Sequence, residues 1–159
     1  MPVLYWLGYN LVESFVDNVI RDKVYACVGS VLYYEMAFGA ADHSGVHVGN
    51  GMVVELGGDG WVRKVSIREF MNAPALVRTG RSLYVSSRNG CGIGSKDIAN
   101  RAMSMVGTCR NYNLLLDNCH QFTSGCVTGD FENSDNFLWM LKHTVRKTMQ
   151  ADEWRVWDI

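Results

Sequence analysis

The chain has 159 residues, of which 48% are hydrophobic, and this size and composition suit one globular domain with a single core. Its 15 lysine and arginine residues are balanced by 16 aspartate and glutamate residues, so it lacks the broad positive field that nucleic-acid binding usually needs. We therefore expect a single domain over residues 1–159 and no nucleic-acid partner.

The N-terminal segment MPVLYWLGYNLVESFVDNVI predicts an amphipathic helix. Its apolar residues recur at three- and four-residue steps and form one stripe: Leu4, Leu7, Leu11, Phe15 and Val19. Glu13 and Asp17 interrupt the apolar run well short of the ~20 residues that a membrane span requires. We expect this stripe to pack on the domain, with contact to a partner as the alternative.

Strand patterns follow the predicted helix. KVYACVGSVLYYE (residues 23–35) is rich in β-branched and aromatic residues, and HSGVHVGNGMVVEL (43–56) consists of two alternating runs around a Gly-Asn-Gly turn. GWVRKV (60–65) reads as another strand and leads to Ser66 and Glu69, whose spacing predicts a capping box at the start of a short helix. SLYVSS reads as a further strand.

Two amphipathic helices are predicted in the second half. Residues 97–107 place their apolar side chains on one face and reach a natural stop at the last residue: Ile98, Ala102, Met105, Val106 and Gly107. The glycine-rich segment before them matches neither the phosphate-binding loop nor the dinucleotide pattern. In DNFLWMLKHTVRKTMQ an apolar stripe faces away from basic residues: Phe137, Leu138, Leu141 and Val145 against Lys142, Arg146 and Lys147. That basic face is either solvated or in peripheral contact with an anionic membrane.

The segment LLLDNCHQFTSG (114–125) places a cysteine where a helix begins. Asp117 or Asn118 can cap this helix, and Gly129 can end it. The N-terminus of a helix stabilises a thiolate over a thiol and lowers the pKa of a cysteine. Cys119 is therefore either a nucleophile or, like Cys126, a small buried residue.

A nucleophilic cysteine needs a base, and the chain has four histidines. His120 is adjacent to Cys119, and neighbouring side chains on a helix point ~100° apart, which argues against direct proton transfer. His143 belongs to the basic C-terminal stripe. His43 and His47 are four residues apart on a strand, so they share one face of the sheet.

The register of the hairpin decides whether Glu55 joins these two histidines. With a two-residue turn, Glu55 projects away from both. With the three-residue loop 49–51, Val48 opposes Met52 and Gly45 opposes Glu55, so the carboxylate shares the histidine face. Glycines at both ends of the loop favour this register, but the spacing does not choose between the two histidines.

The cysteines indicate a reducing environment. Their number, five, is odd, they have no CxxC spacing, and no secretory signal pattern precedes them. These features predict neither a disulfide framework nor a zinc ribbon. We expect the protein to be cytoplasmic.

Three segments carry a resemblance to a known family. GSVLYYE, then DHSGVHVGNGMVVELGG, and much later NYNLLLDNCHQFTSGCVTG are similar to the lecithin retinol acyltransferase-like family, a circularly permuted branch of the NlpC-type, papain-like cysteine hydrolases. In that family a hairpin of the form HxGxxxGxG comes first and an Asn-Cys-x-x-Phe helix comes last. The resemblance covers roughly residues 24–130, with helical extensions at both ends. It implies an α+β, permuted papain-like fold in which an antiparallel sheet packs against helices.

The resemblance also implies roles for individual residues. Cys119 becomes the nucleophile, His43 the general base and Glu55 the group that orients it, while His47 is a bystander. The backbone N–H of Cys119 and the side chain of Asn118 would hold the oxyanion. On this basis we expect the cysteine helix to meet the sheet face that bears His43 and Glu55.

Two departures from the family concern the substrate. Many eukaryotic relatives carry a second histidine where Glu55 stands, and they usually carry Asn-Cys-Glu-His-Phe where this chain has NCHQF. Those relatives also often end in a hydrophobic membrane anchor, which the charged C-terminus here does not provide. The substrate class of the eukaryotic members therefore does not carry over directly.

The resemblance implies a cysteine hydrolase or acyltransferase that works through a thioester, with no metal or organic cofactor. Its substrate would be an acyl ester or amide: a lipid, a peptide or cell-wall amide, or a protein side-chain amide. The alternative is a non-catalytic binding module that keeps the fold and presents aromatic residues to a partner: Trp6, Trp154 and Trp157.

Overall fold

The computed structural model describes residues 23–36, 41–72, 82–111, 113 and 118–157. These residues form seven strands and four helices: β1 (Val31–Met36), β2 (Ala41–Gly49), β3 (Met52–Leu56), β4 (Val62–Ser66), α1 (Ile67–Asn72), β5 (Leu83–Arg88), β6 (Cys91–Gly92), α2 (Lys96–Ser104), α3 (Cys119–Thr128), α4 (Leu138–Met149) and β7 (Glu153–Val156). The predicted N-terminal helix, with Trp6, and the alternative cap Asp117 lie outside the described residues.

The strands form one sheet in the order β4-β3-β2-β1-β5-β6, and β7 also pairs with β5. All of these pairings are antiparallel. The predicted α+β class, with an antiparallel sheet packed against helices, is confirmed.

Helices cover both faces of the sheet. On one face, apolar residues of α2, α3 and α4 pack with Val46 and Val54. On the other, Phe70 of α1 packs with Tyr34 and Val53. We call these the three-helix face and the α1 face. Because side chains alternate along a strand, consecutive residues of β2 point to different faces, and each face has its own core.

The β2–β3 hairpin reaches the predicted register through a different turn. Gly49 pairs with Met52, so the turn has two residues, and a register shift at Val48 follows it. Beyond this bulge, Gly45 lies opposite Glu55 in the continued register. The predicted three-residue loop is wrong, yet the register is confirmed, because a bulge adds one residue to a strand just as a longer loop would.

Gly45 lies in the most crowded part of this hairpin. A Cβ atom there would be 2.9 Å from Val53 Cγ1, 2.9 Å from the Val54 carbonyl oxygen and 3.0 Å from Phe70 Cε2. We expect Gly45→Ala to lower the free energy of unfolding by ~1–3 kcal/mol because it overpacks the core. Urea denaturation measures this, with Gly58→Ala as control, since a Cβ there meets nothing within 4 Å. Equal stability of the two variants would show that the core adjusts without cost.

Several strand boundaries differ from the sequence predictions. β1 begins at Val31 rather than at Lys23, because the chain turns at Val28 and Gly29, where Gly29 has a φ of 82°. The strands β6 and β7 were not predicted from the sequence. Both are short, and both depend on pairing with β5 rather than on a strong pattern of their own.

The predicted helices are present at the expected positions, but some of their ends and buried faces differ from the predictions. The capping box of α1 is confirmed, since the Ser66 hydroxyl and backbone N–H both donate to the Glu69 carboxylate. In α4, the residues Leu141 and Val145 are buried, but Phe137 is half-exposed at the N-cap position. Lys142 does not lie on a solvated face, because its ammonium group donates to the Tyr33 hydroxyl at 2.9 Å. α2 ends at Ser104 rather than at residue 107.

Candidate active site

Cys119 is the first residue of α3, as predicted. Asn118 precedes it as the N-cap, and its Oδ1 accepts from the backbone N–H of His120 at 2.9 Å and of Gln121 at 3.2 Å. Gly129 ends the helix with a left-handed φ of 88°. This local structure follows from the sequence, because asparagine is a strong N-cap and glycine a strong helix terminator. The side chain of Cys119 is 4% exposed.

Both polar atoms of the Asn118 side chain make structural bonds at this turn. Besides capping α3 through Oδ1, it donates from Nδ2 to the Asn136 carbonyl oxygen at 2.7 Å. It thereby ties the start of α3 to the segment before α4. The predicted role of the Asn118 side chain in binding an oxyanion stays a prediction. That role would compete with these structural bonds. The backbone N–H of Cys119 does not take part in this cap. As the first N–H of the helix, it has no acceptor within the helix itself.

His43 and Glu55 form a short, buried hydrogen bond, with His43 Nε2 at 2.6 Å from Glu55 Oε2. The prediction that they share a face of the sheet is thereby confirmed. Phe70 and Tyr34 surround the imidazole, at ring-centroid distances of 5.1 Å and 5.7 Å. These rings fix the orientation of His43 and keep water away from its bond to Glu55.

Arg63 is a further member of the site that the sequence analysis missed. It donates from Nε to the second oxygen of Glu55 at 3.2 Å and from Nη1 to Asp59 at 3.1 Å. In the β3–β4 register Arg63 lies directly opposite Glu55. A register argument for this second hairpin, of the kind applied to the first, would have found it. The guanidinium thus binds the carboxylate oxygen of Glu55 that His43 leaves open.

Cys119 lies beside His43, since its Sγ is 3.9 Å from the carbonyl oxygen of the preceding residue, Asp42, and the pKa of the imidazole responds to it. Since Nε2 is taken by Glu55, Nδ1 is the nitrogen left for the thiol. Burial alone would lower the pKa of His43, but the hydrogen bonds to Cys119 and Glu55 outweigh it and raise this pKa to about 9. At neutral pH the imidazole therefore carries its proton.

The pKa of the Cys119 thiol shifts in the opposite direction. Burial alone would raise the pKa of Cys119, but hydrogen bonds to His120 and His43, with the charges of both rings, lower it well below its usual range. A low thiol pKa and a high imidazole pKa together favour a thiolate–imidazolium pair. By contrast, burial raises the pKa of the Cys126 thiol to about 12. Cys119 and Cys126 are both buried, so the surroundings and not burial distinguish them.

The position of α3 differs from the sequence prediction. The body of the helix packs on the three-helix face through Phe122, whereas His43 and Glu55 lie on the α1 face. The first residue of the helix lies at the beginning of β2, where Cys119 Sγ is 3.9 Å from the carbonyl oxygen of Asp42, the residue before His43. The thiol thus approaches the histidine at the end of a strand rather than across a face.

The structure separates the two histidines that the spacing left equivalent. His47 donates from Nδ1 to the Cys27 carbonyl oxygen at 2.9 Å, and its ring meets the edge of Trp157 at 4.8 Å. It therefore joins the N-terminal segment and the end of the chain to the sheet. Of this pair, His43 bonds to Glu55, and its pKa is the one that responds to Cys119.

His120 is bound to β2, because its Nδ1 lies 2.9 Å from Ser44 Oγ. It is also among the groups that lower the pKa of Cys119. The argument against direct proton transfer between His120 and Cys119 stays a prediction.

Other candidate residues have structural surroundings. Trp154 packs edge-on against Tyr33 at 5.1 Å and Trp157 edge-on against His47 at 4.8 Å, and both are partly buried. Their presentation to a partner stays a prediction. All five cysteines are free. Within the described residues, no group of three or more histidine, cysteine or acidic side chains is arranged to hold a metal ion. In that same part of the chain, no helix has the length and apolar character needed to cross a membrane.

The sequence was compared with known proteins. The family model described as lecithin retinol acyltransferase matches residues 25–132, an interval that contains His43, Glu55 and Cys119. Among curated proteins, none matches the chain.

Proposed function

The chain belongs to the lecithin retinol acyltransferase family, and on that premise we propose that it is a cysteine hydrolase or acyltransferase that forms a thioester on Cys119. The observation that carries this proposal is the buried hydrogen bond between His43 and Glu55, with Cys119 next to it at the start of α3 and its Sγ 3.9 Å from the Asp42 carbonyl oxygen. Cys119, His43 and Glu55 thus stand in the order of a nucleophile, a base and an orienting acid.

In the first half of the reaction, the Cys119 thiolate attacks the acyl carbon of the substrate. The carbonyl electron pair moves to oxygen, and the N–H of Cys119 at the start of α3 stabilises this oxyanion. The imidazolium of His43 then gives its proton to the leaving group as the carbon–oxygen or carbon–nitrogen bond breaks. The products are the thioester and the free alcohol or amine.

In the second half, His43 is neutral and accepts a proton from water or another acceptor, which attacks the thioester. The thiolate leaves, and the acyl group departs on the acceptor. Glu55 holds the imidazole by its Nε2–H throughout and stabilises its charged form. Arg63 in turn binds the other oxygen of Glu55, so four side chains from three strands and one helix cooperate.

We propose an acyl ester or amide of a lipid or a peptide as the substrate. The thioester mechanism treats these substrates alike and therefore does not choose among them. Because the reaction needs a reduced thiol, we propose a reducing compartment, the cytoplasm, as the site of action.

Turnover of a panel of substrates tests the proposal. The purified protein should release product from at least one member of a set of activated acyl esters, phospholipids and acylated peptides, and Cys119→Ala should release none above background. The variant Cys126→Ala, which removes the other buried thiol, is the matched control and should retain activity. Equal turnover by Cys119→Ala and the wild type would refute the proposed nucleophile.

A further inference from the structure

A hydrogen bond on the three-helix face joins the neighbours of the proposed base and the proposed nucleophile. Ser44 Oγ lies 2.9 Å from Nδ1 of His120. Ser44 follows His43 on β2, and His120 follows Cys119 on α3. Because side chains alternate along a strand, Ser44 points to the three-helix face while His43 points to the α1 face. The bond therefore ties α3 to β2 directly behind the histidine.

Ser44 binds the next turn of α3 as well. Its hydroxyl donates to Thr123 Oγ1 at 3.1 Å, and Thr123 comes three residues after His120, on the same side of the helix. All three residues are buried, with exposed fractions of 0% for Ser44 and Thr123 and 6% for His120. We call Ser44, His120 and Thr123 the serine clamp. One strand residue thus holds two points of the helix.

The serine clamp supplies directional bonds to a face of the sheet where apolar packing is extensive. The core on this face contains Val46, Val54 and Phe122. Apolar contacts are non-directional and would hold α3 in several similar positions, whereas a hydrogen bond restricts both distance and angle. The buried hydrogen bonds of the clamp therefore fix the place and rotation of the first turns of α3.

The position fixed in this way is that of the thiol. Cys119 Sγ is 3.9 Å from the carbonyl oxygen of Asp42, the residue before His43. The bond from Ser44 to His120 is made by the residue after His43. The start of α3 is thus held against β2 on both sides of the histidine. A small shift or rotation of the helix would carry the sulfur away from the imidazole.

We propose that Ser44 and His120 are positioning residues that hold Cys119 at His43 for proton transfer. In this role His120 needs a polar atom at the Nδ1 position rather than an imidazole. Since a misplacement of about 1 Å can cost ~10²-fold in rate, loss of the bond should lower kcat. Both side chains are buried and do not bind the substrate, so KM should change little. This inference rests on the proposed function of Cys119 as the nucleophile.

Two variants of His120 separate positioning from proton transfer. Asparagine places a polar atom where histidine has Nδ1, whereas leucine has the same size and forms no hydrogen bond. In hydrolysis of an activated acyl ester, His120→Asn should keep most of the wild-type kcat, and His120→Leu should lose ~10–10²-fold. Equal losses in the two variants would overturn the inference, because the imidazole itself would then be needed. Full activity in both would overturn it as well.

Removal of the serine hydroxyl tests the same bond from β2. Ser44→Ala should lower kcat as His120→Leu does, and the double variant should lose no more than the larger single loss, since both changes break one bond. Ser86→Ala is the matched control. Ser86 is a buried serine of β5 that donates to the Ile93 carbonyl oxygen at 3.0 Å and accepts from the Val31 N–H at 3.1 Å. This control should keep its kcat.

Circular dichroism shows which variants are folded, and the two His120 variants decide the test if Ser44→Ala does not fold. A wild-type kcat in folded Ser44→Ala would overturn the inference, as would losses that multiply in the double variant. An equal loss in Ser86→Ala would trace the effect to general stability and overturn it too. The proposed function fails in a different way: the wild type itself would show no turnover that depends on Cys119, and the inference would fall with it.

Discussion

His43→Ala should lower turnover by ~10²–10⁴-fold, the usual contribution of a general acid–base, whereas His47→Ala should leave most of the activity. Both histidines lie on the α1 face of β2, four residues apart. His43 is bound to Glu55 and interacts electrostatically with Cys119, while His47 is bound to the Cys27 carbonyl oxygen. Hydrolysis of an activated acyl ester by each purified variant measures the difference.

His47→Ala serves as the matched control in this experiment, since it removes a buried imidazole from the same strand. Circular dichroism should show both variants folded. An inactive His47→Ala beside an active His43→Ala would shift the family alignment by four residues. Full activity in both variants and in Cys119→Ala would leave the fold as a binding module.

Glu55→Gln should reduce turnover by less than the ~10²–10⁴-fold expected for loss of the base itself and should move the high-pH limit of activity to lower pH. The thiolate–imidazolium pair exists between the lowered pKa of Cys119 and the pKa of His43 at about 9. Glutamine keeps the size of the side chain but removes the negative charge that stabilises the imidazolium. The pKa of His43 therefore falls, and activity is lost earlier as the pH rises.

The pH dependence of ester hydrolysis measures this shift, and Asp59→Asn is its control. Asp59 accepts from the same Arg63 guanidinium at 3.1 Å but is exposed and does not contact His43. The control removes a carboxylate beside Arg63 and should leave the pH profile unchanged. Superimposable profiles for Glu55→Gln and the wild type would show that Glu55 has no electrostatic role in the site.

Local signals in the sequence carry the parts of the site that were predicted correctly. The start of α3 is set by Asn118 and its end by Gly129, both of which act within a few residues. The face shared by His43 and Glu55 follows from two-residue alternation and a short turn. Such features depend on neighbours in the chain, so the residues themselves predict them.

The features that were missed depend on contacts between distant segments. The sequence places α3 near the sheet but does not choose the face, because its apolar residues fit either core. Likewise, the bond between His120 and Ser44 joins residues 76 positions apart. β7 has a weak pattern, and it is a strand because β5 offers an edge.

Detection of an acyl-enzyme is the most direct test of the central claim that Cys119 is a nucleophile. The protein is mixed with an excess of an activated acyl ester, quenched in acid within the first turnovers and examined by intact-mass spectrometry, with Cys119→Ala treated alike. We predict that the wild type gains the mass of one acyl group, that hydroxylamine removes it, that peptide mapping places it on Cys119, and that Cys119→Ala gains nothing. Turnover with no adduct on Cys119, or with the acyl group on another residue, would contradict the proposed mechanism.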